Sequence, residues 1–427
     1  MCEAHSERQL QAGPGGGGRV ERPRGSIRPW RAISPKLVTA RIDALCRGSS
    51  SAAAAAATTS HHMELVTSKK KAGAASLPDD LIAEILSRVP YKSLCRFKCV
   101  SRPWLALCSD PGVRRKCPQT LSGFFFRRLD PYSQVFTSTS HFVNASGRGP
   151  PIVDPSFSFL PPGHRDATIF DSCNGLLLCQ RKDMHTQVGS RYFVCNPATE
   201  KWIDLPYTQP LERSYPVIRL GFDPAVSSHF RVFLLVHDND YCHRQDRVTG
   251  LEIYSSGTGG WTYMPSEWGE GIRVFGNSRS AFFKSTLHLT TLDSTVITVD
   301  TDGKTWRKML TPCNFDSIGL SQGRLYAMCR GNCSVCLWVL EDYVEQQWIL
   351  KHTVSAPELD DICMVRTIHP EHSLIFLTAG SMRSLMSYDI DTGKVHAIYT
   401  LGKNFMHIYP YIPCFSDWLS EGHKSYK

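Results

Sequence analysis

The sequence predicts an all-β main domain over residues 121–419, a β-propeller of six or seven blades, preceded by a small three-helix domain and a disordered N-terminal tail. Three observations lead to this prediction. A unit of strand, turn and second strand recurs through the C-terminal part of the chain at intervals of 42 to 59 residues. Residues 76–117 instead carry apolar residues at helical spacing. Residues 1–75 are of low complexity and carry neither pattern.

The predicted tail, residues 1–75, contains a glycine run and an alanine run and no apolar period that could order a core. Up to Lys71 it holds 12 Lys and Arg against 5 Asp and Glu, which is +7 of the chain's net charge of +9. The rest of the chain is almost neutral, which disfavours a nucleic-acid partner, since nucleic acids are usually bound by a basic patch on a folded face. The Arg-rich start also resembles an organelle transit peptide, and Met63 offers an alternative start.

Three short helices are predicted over residues 76–117. Pro78 suits a first helical turn, and the two aspartates that follow suit the positive end of the helix dipole. Pro90 ends the first helix, and Ser101 is the predicted N-cap of the third, which begins near Trp104. The apolar positions at helical spacing are Leu81, Ile82, Ile85, Leu86 and Val89 in the first helix and Leu94, Phe97 and Val100 in the second.

This helical segment presents apolar residues on more than one helix face. A segment of roughly 30 to 40 residues cannot usually bury a sufficient core by itself. It must therefore dock either onto the rest of its own chain or onto another protein.

The same segment resembles an F-box, the module by which substrate receptors join SCF-type cullin–RING ubiquitin ligases through a Skp-family adaptor. The matching positions are Leu77-Pro78, Leu81, Glu84-Ile85-Leu86, Pro90, Ser93-Leu94, Val100, Ser101-Arg102 and Trp104. Phe97 and Val113 depart from the usual pattern, without altering the assignment. The resemblance implies a set of residues that bind the adaptor or hold the helices together, namely Leu77, Pro78, Leu81, Ile82, Ile85, Leu86, Pro90, Leu94, Val100 and Trp104.

The repeating unit consists of an apolar strand, a turn rich in Asp, Asn or Gly, and a second strand that carries tryptophan. Its copies run from Phe193 to Trp202, Ile253 to Trp261, Ile297 to Trp306, Leu337 to Trp348, and Tyr388 to Val395, where the tryptophan is lost. A further predicted strand precedes each copy, at 175–179, 230–236, 286–289, 324–328 and 374–377. Four strands in about 40 to 50 residues are typical of a propeller blade.

A ring of blades must close, because each blade leaves an apolar face exposed until a neighbour stacks on it. The closing segment is predicted at 409–419, and the first, least regular blade at 123–126 and 157–161. The repeat tryptophans are predicted to pack between blades. The segments DSCNGLL at 171–177 and NPAT at 196–199 resemble signatures of the F-box-associated, Kelch-like repeat domains of plant F-box proteins. A pair of β-sandwiches or another all-β stack is the alternative.

Few residues point to chemistry. Cys329, Cys333 and Cys336 are spaced like the cluster ligands of radical enzymes that cleave S-adenosylmethionine, but they fall between two strands of an all-β repeat, which favours a simple hairpin. The sixteen cysteines are expected to be free thiols in a reducing compartment. We find no phosphate loop, no nucleophile elbow, no zinc-like histidine spacing and no apolar run of about 18 residues that could span a membrane.

The resemblance to F-box proteins implies a non-catalytic substrate receptor of an SCF ubiquitin ligase, in the cytoplasm or nucleus, with no cofactor and with no nucleic-acid or membrane partner, and the lack of catalytic motifs suits this role. Its partners would be the Skp-family adaptor, through it the cullin–RING ligase, and an unknown protein target. The alternatives are a propeller-based metal-binding, small-molecule-binding or enzymatic protein that uses the helices as an intramolecular cap, and a nucleic-acid-binding protein that uses its basic tail.

Overall fold

The computed structural model describes residues 77–418 apart from 90, 118–119, 130–137, 182–191, 208–215, 238–247, 266–267, 269–271, 275–278, 332–333, 355–362 and 417. The predicted disordered tail, residues 1–75, therefore lies outside the described residues. Within the described ranges, no helix has the length and apolar character that crossing a membrane would require.

Four short helices precede the propeller: α1 (Asp79–Leu86), α2 (Tyr91–Phe97), α3 (Arg102–Ser109) and α4 (Pro111–Lys116). The predicted N-cap of α3 is confirmed, since Ser101 Oγ accepts a hydrogen bond from the Trp104 amide at 3.4 Å. The fourth helix is an addition to the three predicted. It forms because Asp110 Oδ1 accepts hydrogen bonds from the amides of Gly112 and Val113, at 2.8 and 3.0 Å, and Pro111 follows at the first helical position.

The predicted propeller is confirmed, and it has six blades. A short helix, α5 (Pro162–Arg165), lies before the second blade. Blade 1 contains β1 (Gly123–Leu129), β2 (Ser138–Asn144) and β23 (Phe405–Tyr411). Blade 2 contains β3 (Thr168–Cys173), β4 (Leu176–Gln180), β5 (Tyr192–Asn196) and β6 (Lys201–Asp204). Blade 3 contains β7 (Ile218–Gly221), β8 (Arg231–His237), β9 (Val248–Ser255) and β10 (Gly260–Pro265).

The remaining three blades follow the same plan of four antiparallel strands. Blade 4 contains β11 (Ser280–Phe283), β12 (Thr286–Thr290), β13 (Thr295–Asp300) and β14 (Trp306–Leu310). Blade 5 contains β15 (Ser317–Ser321), β16 (Arg324–Gly331), β17 (Ser334–Asp342) and β18 (Gln347–Val354). Blade 6 contains β19 (Met364–Ile368), β20 (Leu374–Ala379), β21 (Ser384–Asp389) and β22 (Val395–Thr400). The hairpins marked by the repeat are thus the third and fourth strands of blades 2 to 6.

The two ends of the propeller chain meet in blade 1. Strand β23 pairs antiparallel with β1, with Tyr409 opposite Phe125 and Tyr411 opposite Gly123. β23 also packs against β3, so it occupies the innermost position of blade 1, as the first strand does in each other blade. The closing strand therefore begins at Phe405, earlier than the predicted 409. Because the C-terminal strand completes the first blade, the ring closes without an exposed edge at this position.

The core is divided into six apolar clusters, one at each junction between neighbouring blades. At the junction of blades 1 and 6, Phe124 of β1 meets Phe376 of β20 in an edge-to-face contact with ring centroids 5.0 Å apart. The tryptophans at the blade repeats are half-buried and pack against these clusters, as predicted: Trp202, Trp261, Trp306 and Trp348. Packing between blades explains why the repeat needs one large side chain per unit.

The acidic and amide residues of the repeat form the turns between third and fourth strands. Asp300 carboxylate oxygens accept hydrogen bonds from the amides of Asp302, Lys304 and Thr305 at 3.0 to 3.2 Å. Asn196 does the same for Ala198 at 3.0 Å, and its Nδ2 donates to the carbonyl of Cys414 at 2.8 Å. The Asp and Asn positions visible in the sequence are therefore turn residues, which bind backbone amides.

One cysteine expectation is wrong. Cys313 and Cys329 form a disulfide, whereas free thiols were expected throughout, because the fold brings the segment before β15 next to β16. The hairpin interpretation of the cysteine motif agrees with the structure, since Cys329 on β16 lies opposite Cys336 on β17. Cys333 lies outside the described residues.

Candidate functional site

An apolar stripe runs along one side of helix α1. Leu81 and Ile85 are four residues apart in α1, so they lie above one another on the helix surface, and Leu77 stands just before the N-cap Pro78, four residues ahead of Leu81. Their exposed fractions are 53, 51 and 44%. Three large exposed apolar side chains within nine residues are unusual for a surface that remains in water. We call these three residues the α1 stripe.

Behind the stripe, the helices have a core of their own. Leu86, Leu94, Cys108, Val113 and Cys117 are buried together. Ile82, Phe97 and Trp104 are half-buried and pack against this core, and the rings of Phe97 and Trp104 meet edge to face at 5.6 Å. The helical module is thus held together by residues other than those of the stripe, so the stripe is available for contact with another surface.

The ten predicted adaptor-binding residues differ in how far they are exposed to solvent. Leu77, Pro78, Leu81, Ile85 and Val100 are exposed. Ile82 and Trp104 are half-buried, whereas Leu86 and Leu94 belong to the core. Pro90 lies outside the described residues. Their adaptor-binding role stays a prediction, in which Leu86 and Leu94 can act only by holding the helices together.

Sequence reasoning missed Leu105, which is 47% exposed on α3. The signal that could have revealed it is a helix with apolar residues on two faces. Cys108 and Leu107 face the module core from α3, and Leu105 lies on another side of the same helix. Together with Val100, which is 43% exposed, it adds apolar surface on the later helices.

Charged residues lie on the other exposed positions of α1. Glu84 accepts a hydrogen bond from Arg88 Nη2 at 2.6 Å, and Lys116 Nζ of α4 lies 3.9 Å from the second Glu84 oxygen. The hydrogen bond from Arg88 lowers the pKa of Glu84, with smaller effects from the charges of Arg88 and Lys116. All three side chains are solvent-exposed, so these pairs contribute little to stability.

A cavity of about 600 Å³ lies between helix α4 and the propeller. Its walls are largely apolar, and they include Ile152, Phe159 and Phe415. At the helical side Arg114 lines the cavity, and its Nη2 donates a hydrogen bond to Ser416 Oγ at 2.6 Å. Ser416 belongs to the segment that follows β23, so this contact ties the helical module to the end of the propeller chain.

The described residues offer no cluster of three or more His, Cys, Asp or Glu side chains that could hold a metal ion. His369 and His372 lie side by side with ring centroids 4.5 Å apart, but His369 Nδ1 accepts hydrogen bonds from the amides of Glu371 and His372 at 3.1 Å. The pair therefore forms a turn within blade 6.

Comparison with known proteins agrees with this architecture. An F-box domain model matches residues 75–116, and a model of the F-box associated beta propeller domain matches residues 152–408. In Arabidopsis thaliana, the F-box protein At5g07610 is 31% identical over 193 residues, which cover 43% of this chain and 44% of that protein. The F-box protein At5g49610 is 26% identical over 302 residues, which cover 66% of this chain and 79% of that protein.

A third relative, the Arabidopsis thaliana F-box protein DOR, is 24% identical over 305 residues, which cover 65% of this chain and 73% of that protein. The alignments differ in extent, and the one with At5g07610 spans less than half of that protein's length. The propeller model alone matches more than half of this chain. The chain therefore belongs to the F-box proteins that carry an F-box associated β-propeller domain.

Proposed function

We propose that this protein is the substrate receptor of an SCF-type ubiquitin ligase. In this proposal the helical module binds the Skp-family adaptor, which connects it to the cullin–RING ligase, and the propeller binds a protein target for ubiquitination. The observation that carries the proposal is the α1 stripe, Leu77, Leu81 and Ile85, exposed on a module that already has its own core. Membership of the F-box family supports the same role.

The proposed role requires no chemistry from this chain. A receptor that holds a target near an activated ubiquitin raises the effective concentration of the target's lysines at the thioester. We therefore propose a non-catalytic subunit that acts in the cytoplasm or nucleus without a cofactor, and with neither nucleic acid nor membrane as a partner. A fluorescent fusion of the full chain at native expression level would test the location.

The exposed and buried residues of the module have different proposed roles. The α1 stripe, with Pro78, Val100 and Leu105, would supply the contact surface, because apolar side chains gain most when water leaves both partners. Leu86 and Leu94 would act indirectly, by fixing the helices that present this surface. Ile82 and Trp104 lie between the two groups and would contribute to both.

The test is a double substitution within the stripe, Leu81→Ala with Ile85→Ala. Both side chains are exposed, so the module should stay folded while its affinity for purified Skp-family adaptor falls by roughly 10- to 100-fold, the effect of truncating central apolar contacts. Calorimetric titration of the full chain measures the affinity, and thermal unfolding checks the fold.

The matched control is Leu310→Ala with Val344→Ala, two apolar side chains that are also exposed but lie on blades 4 and 5. The control should bind the adaptor as the wild type does. Unchanged affinity in the stripe variant, or an equal loss in the control, would contradict the proposed contact surface.

A further inference from the structure

The cavity beside helix α4 has the size and the lining of a small-molecule site. Its volume of about 600 Å³ falls within the range of about 300 to 1,000 Å³ that is typical of such sites. Its apolar walls include Val153, Phe159 and Phe415, which are all half-buried. Among the described residues that line it, Arg114 of α4 is the one cation. Small-molecule sites are mostly apolar in this way and use a few polar groups to fix the orientation of the ligand.

The guanidinium group of Arg114 is held in place, but this chain uses only part of its bonding capacity. Its Nη2 donates to a neutral acceptor, Ser416 Oγ, at 2.6 Å. Its Nε–H is buried and has no hydrogen-bond partner within the described part of the chain. The nearby carboxylate of Glu84 pairs with Arg88 and Lys116, and no carboxylate of the described residues pairs with Arg114. A half-buried arginine of this kind can pair with an acid that comes from outside the chain.

The two acids of the cavity lining lie at its open side, since Asp154 and Glu200 are both exposed to solvent. The Asp154 carboxylate accepts hydrogen bonds from the amides of Ser156 and Ser158, at 2.9 and 3.0 Å. Hydrogen bonds from Ser158 and Ser156 hold the pKa of Asp154 well below its usual range, so this side chain is ionised. Carboxylates at the rim repel a negative charge placed near them. The cavity therefore favours a ligand with a single acid group, directed to Arg114, and an outer end without negative charge.

The apolar walls and the cation come from different parts of the molecule. Val153 and Phe159 pack against the cluster between blades 1 and 2, and Phe415 follows β23, whereas Arg114 belongs to the helical module. The apolar body of a ligand gains free energy by displacing water from these side chains. Its acid group gains charge-assisted hydrogen bonds from the guanidinium. A ligand needs both parts of the protein to make both kinds of contact.

We propose that this cavity binds a small organic acid, with one carboxylate or sulfonate that pairs with Arg114 and an apolar, ring-sized body that packs on Val153, Phe159 and Phe415. This site goes beyond the receptor role and does not depend on it. Residues 419–427, which follow Trp418 and contain Glu421, are the alternative occupant, and the test distinguishes them from an external ligand.

Two fluorescent probes with the same ring system test the proposal on the full chain. Anilinonaphthalene sulfonate carries one acid group, and phenylnaphthylamine is its neutral counterpart. Saturable binding of the sulfonate probe is expected in the wild type. Arg114→Gln should weaken this binding by about 10-fold or more, the effect of losing charge-assisted hydrogen bonds, and should leave the affinity for the neutral probe unchanged. Collapse of the cavity would weaken both probes, so the selective loss reports the contact with Arg114.

Arg88→Gln is the matched control. The Arg88 side chain is 76% exposed and pairs with Glu84 at 2.6 Å, so this variant removes the same charge from the same module outside the cavity. It should bind both probes as the wild type does. If Arg114→Gln fails to fold, Arg114→Lys replaces it, because lysine keeps the charge and lacks the planar pair of donors. A several-fold loss of the sulfonate probe alone is then expected.

Three results would overturn the proposal: no saturable binding of the sulfonate probe in the wild type, an unchanged affinity or an equal loss of both probes in Arg114→Gln, or the same selective loss in Arg88→Gln. A chain that ends at Trp418 should bind the sulfonate probe as the full chain does. If only that shortened chain binds it, residues 419–427 occupy the cavity and the proposal of an external ligand is wrong.

Probe binding and adaptor binding are measured separately. The α1 stripe variant, Leu81→Ala with Ile85→Ala, should keep the binding of the sulfonate probe, and Arg114→Gln should keep the affinity for the adaptor. Failure of either proposal is therefore visible without the other. Probe binding that is lost in the stripe variant and retained in Arg114→Gln would place the probe on the α1 stripe and contradict the cavity site.

Discussion

The helical module and the propeller differ in what covers their apolar faces. In the propeller, every blade has a neighbour on each side, and the last junction is completed by β23 from the chain's own end. In the helical module, a small core leaves the α1 stripe exposed to water. The comparison shows that the propeller ring closes within this chain, and it supports the proposal that a partner protein covers the exposed stripe of the helical module.

Size explains the difference. A short helical segment has too little interior to bury all its apolar side chains, while a ring of six sheets buries both faces of every blade. The stripe residues are therefore not a packing defect of the module. They are the surface that remains after Leu86, Leu94 and Cys108 have formed its core.

The largest effect on the propeller is expected from removal of the closing strand, β23. A chain that ends at Asn404 lacks β23, so β1 keeps only β2 as a partner and β3 loses its neighbour in blade 1. The ring then has two open apolar faces, and we expect loss of cooperative unfolding, aggregation, and rapid proteolysis of the propeller. Thermal unfolding and limited proteolysis measure this outcome.

The control is a chain that ends at Trp418, which keeps β23 and the buried indole that packs on Phe230 in the cluster between blades 2 and 3. This chain should unfold like the full protein. A cooperative, protease-resistant propeller in the chain ending at Asn404 would show that ring closure does not need the C-terminal strand.

A smaller effect should distinguish core from surface within the helical module. Leu86→Ala removes a side chain that is 1% exposed, so it should lower the free energy of unfolding of the helical module by about 2–5 kcal/mol. Leu81→Ala removes an exposed side chain of the same helix and should lower the free energy of unfolding of the module by less than about 0.5 kcal/mol. Hydrogen exchange of the amides in residues 79–116 measures both.

Adaptor affinity completes this test. Leu86→Ala should weaken binding only as far as it unfolds the module, so exchange protection and affinity should be lost together. Leu81→Ala should lose affinity while exchange protection is retained. If both variants lose protection equally, the exposed stripe has a structural role and the contrast between core and contact surface is wrong.

The sequence predicts those parts of the molecule that depend on local pattern. Strand hairpins of blades 2 to 6 follow from the repeat, because Asp300 and its counterparts bind turn amides a few residues away. Helix α1 follows from Pro78 and the apolar spacing after it. The sequence pattern does not predict that Leu81 is exposed and Leu86 is buried, because both residues are leucines and differ only in what packs opposite them.

Features that join distant segments could not be predicted. The Cys313–Cys329 disulfide depends on the loop before β15 meeting β16, which are brought together only by the folded blade. Helix α4 is different, since Asp110 and Pro111 are a local start signal that sequence reasoning can use.

The smallest expected effect depends on pH and belongs to the propeller alone. Burial lowers the pKa of His288 on β12 to about 4. Its Nδ1 donates to the carbonyl of Thr286 at 3.1 Å, which leaves Nε2 to accept from the Tyr343 hydroxyl at 2.8 Å. A proton on Nε2 would stop this nitrogen from accepting that hydrogen bond and would place a charge among buried groups. Residues 77–117 contain no histidine, so the helical module lacks this sensitivity.

In the unfolded chain a histidine has a pKa of about 6.5, so between this value and about 4 the unfolded state binds a proton that folded His288 does not. Above pH 6.5 the neutral His288 ring therefore causes no loss in the free energy of unfolding. As the pH falls, the propeller loses stability because of this residue, and the loss reaches about 2 kcal/mol at pH 5. His288→Gln keeps a donor and an acceptor but does not titrate, so the loss between pH 7 and pH 5 should shrink by that amount. Denaturant unfolding at both pH values measures it, with His396→Gln on exposed β22 as the control. An unchanged loss in His288→Gln would show that His288 is not buried as a neutral ring.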